Sequence, residues 1–169
     1  VGSEMCIRDR RELRYEMAEE YMEVMGKLFG SWEEGAVLRD RARGIYADHE
    51  KVHPINHEGK FFKVRGPLNT VRSPQGRPVY LQAGASPRGR DFAAKHADSI
   101  VSVANGVESM KAFRDDIRNR AAAMGRDPDS IKVMFCVTPA LGETEQDARE
   151  RLRRQHSAPH FIDDMLASI

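Results

Sequence analysis

The chain has 169 residues, of which 27 are basic and 26 acidic, giving a formal charge of +1 at neutral pH. So even a balance offers no cationic field for nucleic acid or an anionic membrane, and no apolar run approaches the roughly 20 residues of a membrane-spanning helix. The cysteine count of 2 excludes a disulfide framework and points to a reducing compartment, the cytoplasm.

Residues 1–10 (VGSEMCIRDR) read as the translation of a transposase sequencing adapter and are set aside. That removes Cys6, leaves Cys136 without a partner, and implies that residues 11–169 are a fragment whose own beginning lies upstream. The clearest helix spans residues 11–29, where Leu13, Met17, Tyr21, Val24, Met25 and Leu28 recur at three- and four-residue steps and Gly30 supplies the stop. Over 31–69 the periodicity dissolves into a polar excursion, with a small hairpin around residues 60–64 as its only regular element.

From residue 78 onward a strand-then-helix rhythm sets in, the pattern of a parallel sheet with crossover helices. A strand over 78–83, read as buried, leads into a helix over 87–97 with Phe92, Ala93 and His96 turned inward. A second strand over 99–104 leads into a helix over 107–124, which presents Met110, Phe113, Ile117, Ala121 and Met124 on one face and stops at Gly125. The third strand, 131–137, is apolar almost throughout, Lys132 excepted, as a strand covered on both faces should be. Thr144 and Asp147 then cap a last helix, with Ala148 and Leu152 facing inward and the charged run 149–154 facing solvent. Three parallel strands seldom finish a domain, so the α/β pattern reads as a slice of a larger protein, either a barrel or an open doubly wound sheet.

The most informative segment is RPVYLQAGASPRGR, residues 77–90. Ser86 is a favoured N-cap and Pro87 sits where a helix needs no donor. The free amides of that first turn carry the positive end of the helix dipole, and Gly84, Ala85 and Gly89 leave no bulk in the way of an anion. The turn around Gly84, Ala85 and Ser86 is therefore a candidate phosphate cradle, against the plainer reading of a tight strand–helix turn. Arg88 and Arg90 stand close enough to neutralise the phosphate or to point at water. Ser102, Asn105 and Thr138 end the later strands, where polar residues are common.

His49, His53 and His57 recur every four residues, but Pro54 breaks the helix that would stack them. No metal is expected, and the three are read as solvated loop histidines or as contacts at the mouth of a substrate site. Cys136 reads as a small core hydrophobe, and Trp32, Phe61 and Phe62 as packing under the excursion.

The segments GIYADHEKVHPINHEGKFFKVRGPL (44–68), SPQGRPVYLQAG (73–84) and AKHADSI (94–100) resemble, in that order, the bacterial-luciferase-like flavin monooxygenases. Within them the likeness is to the branch of nitrilotriacetate, dibenzothiophene-sulfone and long-chain alkane monooxygenases. The resemblance implies a partial TIM (β/α)8 barrel comprising about strands six to eight with their helices. Residues 11–29 would be the fifth helix and 31–69 an insertion before strand six. It also implies reduced FMN supplied by a flavin reductase, O2 and a small organic substrate as co-reactants, and a homo-oligomer at full length. The loop after strand six, Ala83 to Ser86, would hold the FMN phosphate; no catalytic residue carries over. Two rival readings are a sister oxidoreductase using FMN or a deazaflavin and a non-catalytic α/β module that binds a phosphate ligand.

Overall fold

The computed structural model describes residues 2–104 and 106–157, with side chains from residue 12 onward except 155 and 156. Helix α1 (Gly2–Gly30) ends where the sequence places its stop. Its apolar stripe divides, however. Val24 is buried, whereas Leu13, Met17 and Tyr21 are exposed. The N-terminal half instead turns Tyr15 and Glu19 to the next long helix, because Tyr15 meets the Phe92 ring at 5.8 Å and Glu19 pairs with Lys95 and His96, each at 2.7 Å. An ionic cluster rather than the hydrophobic stripe orients that half.

The excursion after α1 is closed at its base. Ser31, itself buried, donates to the Leu28 carbonyl at 2.6 Å and accepts the Leu68 amide at 3.0 Å. Trp32 Nε1 donates to the Leu68 carbonyl at 2.8 Å, so the half-buried indole also ties the two ends of the excursion together. Between these ends lie two antiparallel hairpins rather than one. Strand β1 (Val37–Asp40) pairs with β2 (Ile45–Ala47), and β3 (His57–Glu58) pairs with β4 (Lys63–Val64). The second is the expected hairpin. The first escapes sequence patterning because β1 is interrupted by an irregularity with Arg39 at φ 52, a conformation that alternation does not encode.

Strand β5 (Leu81–Ala83), helix α2 (Pro87–His96), strand β6 (Ser99–Ser102), helix α3 (Val107–Ala123) and strand β7 (Lys132–Phe135) form the strand–helix series. The three strands make one parallel sheet in the order β5-β6-β7. Both helices cover the same face. Ala93 of α2 and Ala97 at its C-cap, Phe113, Ile117 and Ala121 of α3, and Ile100 and Ile131 are buried together, with Val133 and Phe135 packed against them.

The opposite face is open. Leu81 is 57% exposed and Met134 44%, so the strands expected to be buried are covered on one side only. In a closed barrel that side is covered by strands across the interior, and among the described residues nothing occupies their place.

Strand β5 is also shorter than the apolar run that precedes Gly84. The Tyr80 amide donates to the Asp98 carboxylate at 2.8 Å instead of joining the ladder, and Arg77 closes on the same carboxylate through two hydrogen bonds of 2.6 and 2.8 Å. A second compact unit begins at Cys136. In it Thr144 and Asp147 cap α4 (Glu145–His156) reciprocally, Asp147 N–H donating to Thr144 Oγ1 at 3.2 Å and the Thr144 hydroxyl to Asp147 Oδ2 at 2.7 Å. Among the described residues no helix is long and apolar enough to cross a membrane.

The Arg77 hydrogen bonds outweigh burial and hold the Asp98 carboxyl down at about 2, from the usual 3.8. A depressed carboxyl stabilises the fold above its unfolded value, so this contribution, at most about 2 kcal/mol, is complete above pH 4 and disappears as pH falls through about 2. In urea melts of the full-length protein, Asp98→Asn is expected to cost about 1–3 kcal/mol at neutral pH. It should also flatten the acid limb of the stability curve.

Candidate functional site

The turn from β5 into α2 is built by three local devices. Gly84 adopts φ 133, which side chains rarely tolerate, and a Cβ placed there would meet nothing within 4 Å; the space beside it is open. Ser86 is the N-cap, its Oγ accepting the Gly89 amide at 3.1 Å. Pro87 follows as the first helical residue. Gly89 sits in a tight spot, since a Cβ there would lie 3.0 Å from both Ser86 Oγ and the Tyr15 hydroxyl, and one of them would have to give way by a few tenths of an ångström.

The donor inventory of this turn favours an anion. The Gly84 amide makes a long bond to the Val101 carbonyl, 3.4 Å. Among the described residues, no hydrogen-bond acceptor faces the amides of Ala85 and Ser86. The Ser86 hydroxyl proton is likewise free to donate, because its oxygen is the acceptor in the cap. Ala83 and Ala85 are exposed. Beside the turn opens a cleft of about 440 Å³, lined by Gln82, Ser86 and Phe92 on one side and by Arg14, Tyr15 and Ala18 of α1 on the other.

The two flanking arginines are already engaged. Arg88 lies 5.1 Å over the Tyr15 ring and reaches Glu12 and Glu19, each at 3.6 Å. Arg90 donates from Nε to the Ala85 carbonyl at 2.7 Å and from Nη1 to Asp116 at 2.9 Å. Desolvation would raise the Asp116 carboxyl, but hydrogen bonds from Arg90 and Arg120 hold it below the usual carboxylate range.

The remaining sequence candidates do not converge on the turn. Ser102 is buried, and strand alternation puts it with Ile100 on the helix-covered side. Thr138 and Cys136 are exposed in the second unit. The core role read for Cys136 is not met: it is exposed, just past the end of β7 at Phe135. Asn105 lies outside the described residues.

His57 is not a solvated loop histidine: it is 6% exposed. Its Nε2 lies 3.1 Å from Glu20, whose carboxylate also accepts the Phe61 and Phe62 amides at 2.9 and 2.8 Å. Glu20 thus ties the second hairpin to α1, a contact no local signal announces. His53 pairs with Glu33 at 2.6 Å instead, and among the described residues no three His, Cys, Asp or Glu side chains are grouped to hold a metal ion.

A model of the family described as luciferase-like monooxygenase matches residues 5–165. Dibenzothiophene-sulfone monooxygenase of Rhodococcus erythropolis is 47% identical over 149 residues, covering 88% of this chain and 33% of that protein. The crystal structure of a long-chain alkane monooxygenase superposes with a TM-score of 0.75 at 50% identity, covering 83% of this chain and 32% of the other. That of riboflavin lyase, holding modified FMN and its substrate riboflavin, gives a TM-score of 0.75 at 41% identity over 83% and 31%. The chain spans about a third of the length of these proteins.

Serine and aspartate cap helices about equally well, whereas alanine in their place costs about 1 kcal/mol. In urea melts of the full-length protein, Ser86→Ala should show that loss, and Ser86→Asp should melt like the parent.

Proposed function

The chain belongs to the luciferase-like monooxygenase family, and we propose that it is the part of an FMN-dependent, two-component monooxygenase that anchors the phosphate of the cofactor. The observation that carries the proposal is the turn at residues 83–86, where two unpartnered amides, a hydroxyl with its proton free and a glycine with open space around it surround the N-terminus of α2. These residues fit a phosphate monoester. The donors suit its oxygens, the helix dipole suits its charge, and no side chain obstructs the approach. The riboflavin lyase likeness, to a structure that holds modified FMN, supports the same choice of group.

In this reading the Ala85 and Ser86 amides and the Ser86 hydroxyl hold the phosphate. Ala83 and Gly84 shape the approach, and Tyr15 and Phe92 give the cleft apolar walls that limit water. Bound reduced FMN supplies the activation of O2 that oxygenates a small organic substrate, and a separate flavin reductase delivers it. Residues 31–69 form the insertion before the sixth barrel strand, residues 1–10 are extraneous to the protein, and the full-length protein works as a homo-oligomer in the cytoplasm. Neither the substrate nor a catalytic residue is assigned.

The test measures FMN and riboflavin affinity of the full-length protein by fluorescence quenching. Ser86→Asp keeps the cap but sets a carboxylate against the phosphate. It is expected to weaken FMN at least about tenfold, the scale of losing one charge-assisted hydrogen bond, while riboflavin, which lacks the phosphate, binds as before. Equal affinity of parent and variant for FMN would put the anchor elsewhere.

A further inference from the structure

The structure assigns Arg90 a positioning role: paired with Asp116, it holds the Ala85 carbonyl so that the Ser86 amide of the same peptide is turned outward as an anion donor. This rests on the phosphate reading of the turn given above.

The geometry is specific. Arg90 Nε reaches the Ala85 carbonyl at 2.7 Å, and its guanidinium lies 4.7 Å over the Phe113 ring of α3. Asp116, one turn further along α3, takes Nη1 at 2.9 Å. It is fixed in turn by Arg120 Nε at 2.9 and 3.0 Å, and Arg120 also pairs with Asp91. In a trans peptide the carbonyl and the following N–H point in opposite directions. Drawing the Ala85 oxygen toward Arg90 therefore sends the Ser86 N–H away from Arg90 and α3. A charged donor on the carbonyl also polarises the peptide and strengthens that N–H as a donor.

Orientation, not net charge, is what this network supplies. Arg90 and Arg120 are matched by Asp91 and Asp116, so the four groups together present almost no net field to a phosphate. Arg90 differs in this from a guanidinium that touches the anion directly, and the two roles predict opposite signs for removal of Asp116. Freed from its carboxylate, a directly binding arginine would attract phosphate more strongly. A positioning arginine would lose its own anchor, and the turn would loosen.

The experiment compares FMN and riboflavin affinities, with thermal melts, for full-length Arg90→Lys, Arg90→Gln, Asp116→Asn and the Ser86→Asp reference. Both Arg90 variants, which lack Nε as a guanidinium donor, and Asp116→Asn should weaken FMN about three- to tenfold, the scale of one hydrogen bond. Riboflavin affinity should stay unchanged. Tighter FMN binding by Asp116→Asn, or full retention by Arg90→Lys, overturns the positioning role in favour of direct charge. Parallel loss of both flavins tracking a lower melting temperature overturns it in favour of a merely structural one. Should Ser86→Asp itself bind FMN like the parent, the phosphate reading fails, an outcome separate from the other two.

Discussion

The close packing of α2 on β6 is the constraint from which the rest follows. Ala93, Ala94 and Ala97 are buried to within a few per cent, and with nothing larger than a methyl on that stripe the helix lies close against Ile100. Rotating α2 would drive Phe92 or His96 into a sheet already filled by Phe113 and Ile117. The helix is therefore fixed about its axis, and its first turn with it. Each amide in that turn is worth only about 1 kcal/mol to an anion once desolvation is counted, so its value depends on being held in position beforehand. Packing at Ala93, Ala94 and Ala97 thus presets the direction of the amides proposed to bind the anion.

Local chemistry was legible and long-range chemistry was not. Ser86, Pro87 and the face of α3 that carries Phe113, Ile117 and Ala121 could be read directly, because caps and helical periods are written within a few neighbouring residues. What escaped was set by partners far along the chain. The start of β5 is moved by a carboxylate 18 residues away. His57 is buried by Glu20, 37 residues before it. The face of α1 is chosen by ion pairs from Glu19 to Lys95 and His96, over 70 residues distant. The turn proposed to hold a phosphate is marked by its backbone features alone, whereas the role proposed for Arg90 depends on Asp116, which no spacing rule connects to it.

The open face of the sheet explains why the strand readings missed on burial but not on type. Apolar residues on both faces of β7 encode a strand with two covered sides, as parallel strands have, and Met134 carries that pattern while standing exposed. Its sequence answers to partners outside the described residues. The same holds for Leu81 on β5. Judged by its own packing, this sheet would call for polar residues at those positions.

The engagement of both arginines beside the turn bears on how such an anchor works. If reduced FMN arrives from a reductase and oxidised FMN leaves, as proposed, the phosphate has to be released on every cycle. A bidentate arginine on the phosphate would add binding that is equal for both redox forms, slowing exchange without favouring chemistry. Backbone amides held by a charge-neutral network of Arg90, Asp116, Arg120 and Asp91 bind through direction instead. Arg88 is similarly occupied by Tyr15 and the acidic face of α1. On the proposed reading the turn would select a phosphate without holding it by a salt bridge, which is the balance that an exchanging cofactor requires.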